Sequence, residues 1–168
     1  MLESIKIMAV IVALGTNLGD RLAALRAARQ YLVPILTDIV AAPVYETVPC
    51  YVTDQPHFLN TVLRGTTTLT PQELLRSLQA IEITMGRKPR RRYGPREIDL
   101  DIIYYDDAVI AEEFLAIPHL LRLERRFVLQ PLADIAPDLI DPVRQQTIND
   151  LLAQLPLDPT ITRHATSW

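Results

Sequence analysis

The sequence predicts an α+β domain: an antiparallel sheet in the order βαββαβ, helices on one face of it, and a helical C-terminal extension. Three features of the chain point that way. Apolar, β-branched runs alternate with stretches of helical spacing in the required order. One helix carries its own start and stop residues. After Tyr105 the chain offers helical signals rather than further strands.

The elements follow in order. Ile7–Leu14 is apolar, rich in β-branched residues and closed by Gly15, as a buried central strand should be. After the turn Gly15-Thr16-Asn17-Leu18-Gly19-Asp20, residues Leu22, Leu25, Ala28, Arg29 and Leu32 recur at helical spacing, and Pro34 stops the helix. Val40–Thr47 looks extended, with Pro43 indicating an edge or a bulge. Cys50–Pro56 is a loop, and Phe58–Thr68 is the next strand. The second helix is the best marked: Thr70 as N-cap, Pro71 at the first position, Glu73 closing a capping box, and Gly86 as the stop. Its buried stripe is Leu74, Leu75, Leu78, Ile81 and Met85. Ile98–Tyr105 alternates, placing Ile98, Leu100, Ile102 and Tyr104 on one face and Asp99, Asp101, Ile103 and Tyr105 on the other. Leu120–Val128 suggests a short helix after Pro118-His119, and another begins near Thr147. The order is the ferredoxin-like one. One domain spans 1–168, with 1–6 as a loose extension.

Composition narrows the function. The single cysteine, Cys50, excludes an internal disulfide and a cysteine-based zinc cluster, and it fits a reducing cytoplasm. The longest apolar run, Met8–Leu14, falls far short of the roughly 20 residues that span a bilayer. A net charge of −3 gives no global pull toward nucleic acid or membrane. The charge is nevertheless uneven. Arg87, Lys88, Arg90, Arg91, Arg92 and Arg96 form a cationic segment without an acid, and removing its +6 leaves −9 for the remainder. Gly86 and Gly94-Pro95 bound it as a loop, a suitable place for an anion.

Directly after it comes Asp99-Leu100-Asp101. Residues two apart on a strand share a face at roughly 6.5–7 Å. Two like charges so placed repel, and burying either unpaired is costly, so the face is either solvated or holds a cation. Mg²⁺ suits such a pair, being held by one or two carboxylates plus phosphate oxygens and water. Guanidinium forks grip phosphate oxygens, so an arginine loop feeding an acidic strand supplies both halves of a metal–polyphosphate site. Gln79 and Glu82 share a helix face next to it but form an unremarkable exposed pair in isolation. Phe58, Asn60 and Phe127 suit either a core or a sandwich around a flat heterocycle. His119 suits a cap or a site; His57 and His164 have no supporting context. No GK[ST] or kinase signature is present, which argues against those two nucleotide-binding frameworks.

Ordered motifs carry a family resemblance. Ala13-Leu14-Gly15-Thr16-Asn17-Leu18-Gly19-Asp20-Arg21, Tyr45-Glu46-Thr47, Asp54-Gln55-Pro56-His57-Phe58-Leu59-Asn60, Gly94-Pro95-Arg96-Glu97-Ile98-Asp99-Leu100-Asp101-Ile102 and Pro118-His119 with Arg125-Arg126-Phe127-Val128-Leu129 together resemble the hydroxymethyldihydropterin pyrophosphokinase family. The resemblance runs from about Met8 to Pro137. It implies transfer of diphosphate from ATP to the hydroxymethyl group of 6-hydroxymethyl-7,8-dihydropterin, with AMP leaving, in folate synthesis.

The resemblance further implies that Asp99 and Asp101 bind two Mg²⁺ ions and that Arg87 and Arg96 stabilise charge on the transferred group. Arg92 and one of Lys88 or Arg90 would assist. Gln79, Glu82, Ile102, His119 and Arg125 would surround the nucleotide, and Phe58 and Phe127 would stack on the pterin. Asn60 and Thr47, with backbone near Val48 and Cys50, would bond its polar edge. Tyr93 stands where tryptophan is common, over the substrate. The implied partners are the small molecules ATP and a pterin, with no nucleic acid and no membrane; a monomer is compatible with the sequence. Two other classes of reading are an RNA-binding module using the basic loop, and an ATP-dependent transferase with a different acceptor.

Overall fold

A computed structural model describes residues 5–168; the first four residues of the expected N-terminal extension lie outside the described ones. Ile5 and Lys6 are exposed ahead of the first strand. That strand, β1 (Met8–Thr16), is central. It pairs antiparallel with β4 (Phe58–Thr67) on one side and β5 (Asp99–Tyr105) on the other. The sheet order is β5-β1-β4-β3-β8, where β3 is Val44–Thr47 and β8 is Thr162–Ala165, and β2 (Thr37–Ala41) also pairs with β4.

The single extended segment expected over Val40–Thr47 is thus two strands. Pro43 lacks an N–H for the ladder, and the chain steps across it at Ala42, whose amide donates to the Val62 carbonyl at 3.0 Å. The strand β8 was not expected. Its sequence Thr-Arg-His-Ala is polar, and its antiparallel pairing with β3, rather than an apolar pattern, makes it a strand.

Helix α1 (Arg21–Leu32) starts at Asp20, whose carboxylate accepts from the Ala23 amide at 3.0 Å. Helix α2 (Pro71–Thr84) has the full reciprocal capping box of Thr70 and Glu73. Their apolar stripes, including Leu25, Leu32, Leu74, Leu78 and Ile81, pack on Val10, Val12, Leu14, Leu100 and Ile102 of the sheet.

The other face is covered by α3 (Arg126–Ile135) and α4 (Ile148–Ala153), whose Val128, Leu129, Leu132, Ile148 and Leu151 pack on Ile11, Val62 and Ile103. Where one helix was expected over Leu120–Val128, a 3₁₀ turn occupies Arg122–Glu124 and α3 begins only at Arg126. Arg122 is drawn inward in that turn, so the segment does not present a simple apolar stripe. A small hairpin, β6 (Ile110–Ala111) with β7 (Ala116–Ile117), precedes it.

Strict alternation placed Tyr104 beside Leu100 and Ile102. A bulge intervenes: Val12 pairs with Ile102 and Ile11 with Tyr104, leaving Ile103 extra. Tyr105 therefore joins the α1/α2 core, while Ile103 and Tyr104 both serve the α3/α4 side. The residues before the bulge keep the expected phase, with Ile102 on the α1/α2 side and Asp99 and Asp101 facing the other way.

Candidate active site

A cavity of about 360 Å³ opens on the α3 side of the sheet, at the end where β1 leaves the core. Register places its walls. Gly15 pairs with both Asn60 and Asp99, Ala13 pairs with Asp101, and Thr47 pairs with Phe58. Asp99 and Asp101 both line the cavity, as their spacing of two on β5 requires. Burial raises the pKa of each acid. The charge of Asp101 adds to the effect on Asp99, while Arg87 and Arg96 oppose it. At Asp101 the nearby charges of Arg125 and Arg87 oppose burial, and among the described residues no hydrogen bond to the carboxylate joins them.

The basic loop is folded onto this pair. Arg87 Nη1 lies 2.7 Å from Asp99 Oδ1 and 2.6 Å from Glu82 Oε2, and Arg96 Nε lies 4.0 Å from Asp99 Oδ1. Glu82, only 7% exposed, accepts from the Leu100 amide at 2.8 Å. Its pKa is pushed up to about 7 by burial, against the Leu100 hydrogen bond and the charge of Arg87. Arg92, Tyr93 and Arg125 also line the cavity. The Arg125 guanidinium lies 5.5 Å from the Phe127 ring centroid and 5.8 Å from that of Tyr51.

His119 completes this wall. Its Nδ1 accepts from the Leu121 amide at 3.1 Å, which leaves Nε2 to carry the proton of the neutral ring. Burial, then the charges of Arg125 and Arg122, push its pKa down to about 4.

The opposite end of the cavity is lined by Thr47, Val48, Cys50, Phe58, Asn60 and Phe127. Asn60 is 8% exposed and donates through Nδ2 to Thr47 Oγ1 at 2.8 Å, so its Oδ1 lies across Gly15. A Cβ on Gly15 would stand 2.7 Å from that oxygen, which is the local reason for a glycine there.

Other expected residues lie apart from the lining. Gln79 is exposed on α2. Ile102 points into the α1/α2 core, because it occupies the strand phase opposite the acids. Arg90 is exposed and turned to Glu97 at 2.5 Å. Glu82 reaches the site only through Arg87.

Several residues of the site escaped sequence reasoning. Asn17 donates through Nδ2 to Gln55 Oε1 at 3.0 Å and to the Pro56 carbonyl at 2.9 Å, and its Oδ1 accepts from the Arg96 amide at 2.8 Å. Gln55 in turn donates to the Tyr93 carbonyl at 2.8 Å. Tyr51 stacks on Tyr93 with centroids 4.2 Å apart. The two loops over the cavity are thereby tied to each other and to the turn after β1. Asn17 and Gln55 lie within motifs that carry the family resemblance, but nothing in those motifs says that the two side chains clamp the loops together.

The donor set suits a hard cation. Among the described residues no group of three or more His, Cys, Asp or Glu side chains could hold a metal, so the protein offers only the two carboxylates. That is the number with which Mg²⁺ is held when phosphates and water supply the rest. Among the described residues, no helix is long and apolar enough to cross a membrane.

The model of the 7,8-dihydro-6-hydroxymethylpterin-pyrophosphokinase (HPPK) family matches residues 11–137. A protein of Methylorubrum extorquens named 2-amino-4-hydroxy-6-hydroxymethyldihydropteridine pyrophosphokinase is 41% identical over 89% of this chain and 93% of its own length. The folic acid synthesis protein fol1 of Schizosaccharomyces pombe is 42% identical over 92% of this chain but only 21% of its own length, and a pea bifunctional folate synthesis protein is covered to 26%. The chain thus spans about a quarter or less of those two relatives. In fold it is similar to Plasmodium falciparum HPPK-DHPS crystallised with pteroate, at a TM-score of 0.78 and 17% identity, covering 96% of this chain and 48% of that one. By the family match and the near full-length bacterial relative, the chain belongs to the 7,8-dihydro-6-hydroxymethylpterin-pyrophosphokinase family.

Proposed function

We propose that this chain transfers diphosphate from ATP to the hydroxymethyl group of 6-hydroxymethyl-7,8-dihydropterin, releasing AMP, as a step of folate synthesis. One observation carries the proposal: a single cavity has two carboxylates and four arginines at one end and two phenylalanines with a buried amide at the other. The polar end suits a polyphosphate and the aromatic end a flat heterocycle, with room between them for the two to meet. We read β1–α1–β3–β4–α2–β5 as a ferredoxin-like unit, with the C-terminal elements closing the cavity side.

In this scheme the pterin ring lies between Phe58 and Phe127, and Asn60 and Thr47 bond its polar edge. The substrate oxygen attacks the β-phosphorus of ATP; that bond forms as the bond to the bridging oxygen breaks, and AMP departs with that oxygen. Asp99 and Asp101 would hold Mg²⁺, which supplies neutralisation of the polyphosphate charge when bound. Arg87 leaves Asp99 for the transferring group, where Arg96 and Arg92 join it. Asp101 takes up or directs the hydroxyl proton. His119 and Arg125 face the nucleotide.

An assay of AMP formation from ATP and Mg²⁺, with the pterin alcohol as the variable, tests the proposal. AMP that depends on the pterin is expected. AMP released equally without it would point to another acceptor, and no AMP at all to a binding module.

A further inference from the structure

A buried ion pair stands behind the cavity wall and has no part in the scheme above. Arg122 is 6% exposed and Asp141 fully buried. Arg122 donates from Nε to Asp141 Oδ2 at 2.5 Å and from Nη2 to Oδ1 at 3.1 Å. The Tyr104 hydroxyl donates to Oδ2 at 2.6 Å, and the amides of Val143 and Arg144 each donate to Oδ1 at 2.9 Å. These bonds leave one end of the Arg122 fork, Nη1, which donates to the His119 carbonyl at 3.1 Å. The His119 amide is tied from the other side, donating to the Ile103 carbonyl of β5 at 3.0 Å.

A buried ion pair is weak evidence for stability, because apolar side chains of the same volume often serve as well. What apolar side chains cannot supply is a directed hydrogen bond. Asp141 fixes the plane of the Arg122 guanidinium, and that plane aims Nη1 at a single backbone oxygen. Tyr104 joins β5 to the same network just past the bulge, so the acids and the histidine are referenced to one strand.

We propose that Arg122 is a positioning residue: with Asp141 and Tyr104 it fixes the His119 backbone against β5, and so sets where the imidazole stands over the Asp99–Asp101 wall. The inference deepens the nucleotide site proposed above and rests on it for its functional consequence.

The test compares full-length wild type with Arg122→Met, which keeps the volume and removes the directed bond, and Tyr104→Phe, which removes one hydroxyl and preserves the ion pair. Affinity for a nonhydrolysable ATP analogue with Mg²⁺, and separately for the pterin alcohol, is measured by calorimetry. The titration of the His119 imidazole, which Arg122, Arg125 and Asp99 face, is followed by proton NMR without ligand. The expected result for Arg122→Met is an about tenfold loss of nucleotide affinity, unchanged pterin affinity and a His119 midpoint moved up toward the ordinary value. Tyr104→Phe should move both in the same direction by less. A lower melting temperature with both nucleotide affinity and His119 midpoint unchanged would reduce the network to a structural brace and overturn the proposal. If wild type binds no ATP analogue, the function proposed above fails instead, and the ligand-free His119 midpoint alone decides: unmoved in Arg122→Met and Tyr104→Phe, it overturns the positioning role. If Arg122→Met does not fold, Tyr104→Phe decides in the same way.

Discussion

Single side chains in this cavity are poised by burial more than by contact. Among the described residues none donates to Asp101 a hydrogen bond that would lower its pKa, so burial and nearby charge alone set its proton affinity. Asp101→Asn should cut turnover by roughly 100-fold or more at saturating Mg²⁺, the usual range for losing a positioned acid–base group, with little change in melting temperature. Gly15 is constrained differently. Gly15→Ala should push the Asn60 amide out of place and raise KM for the pterin alcohol by about tenfold, some 1.4 kcal/mol, leaving KM for ATP unchanged. Glu82 has its folded pKa raised to about 7 from an ordinary 4.5, so the folded state holds its proton more tightly. Its contribution to stability is full below about pH 4.5 and is lost as pH rises through 7. Denaturant unfolding across that window should show a flatter pH dependence in Glu82→Gln than in wild type. The acid pair was legible in the sequence because two carboxylates at that spacing have few outlets. Arg122 and Asp141 were not, since each is ordinary alone and their bonds join distant turns. Tyr51 was equally invisible, as nothing in a loop sequence says which ring it will stack upon.

Elements were read well where their signals were local. Helix α2 announced itself through Thr70, Pro71 and Glu73, and each does what its position demands. Thr70→Ala should cost about 1 kcal/mol, read as a lower denaturation midpoint, with ATP and pterin affinities unchanged because the cap lies at the far end of α2 from Glu82. Strands were harder where pairing overrode pattern. Pro43 showed that something interrupts the segment, but only pairing with β4 reveals two strands. The bulge at Ile103 has no sequence signature, because it is a property of the register with β1.

The whole molecule is a sheet with different duties on its faces. Helices α1 and α2 seal one side with apolar side chains, and the other side is divided between the α3/α4 core and the cavity. The C-terminal strand closes the edge beyond β3. Trp168 Nε1 donates to the Ala42 carbonyl at 2.8 Å, Arg29 donates to the Trp168 carbonyl at 2.7 Å, and Arg163 Nη2 donates to the Tyr45 hydroxyl at 3.2 Å. Removing residues 161–168 should lower stability by roughly 3 kcal/mol or more, at about 1 kcal/mol for each of these three hydrogen bonds, with the β3–β8 ladder lost besides. The uncovered β3 edge should then promote aggregation, detectable by light scattering.

The extra residue at Ile103 has a consequence for how this protein can vary. It resets the phase of β5 between the acids and the phenol that meets Asp141, so the Asp99–Asp101 pair and the phenol share one side of the ladder. Point substitutions along β5 leave that phase untouched. Deleting Ile103 would flatten the bulge and leave Tyr104 opposite Ile11, with every motif letter in place. Such a chain would still look like a competent family member by its signatures, and it would have lost the Ile103 carbonyl to which the His119 amide donates.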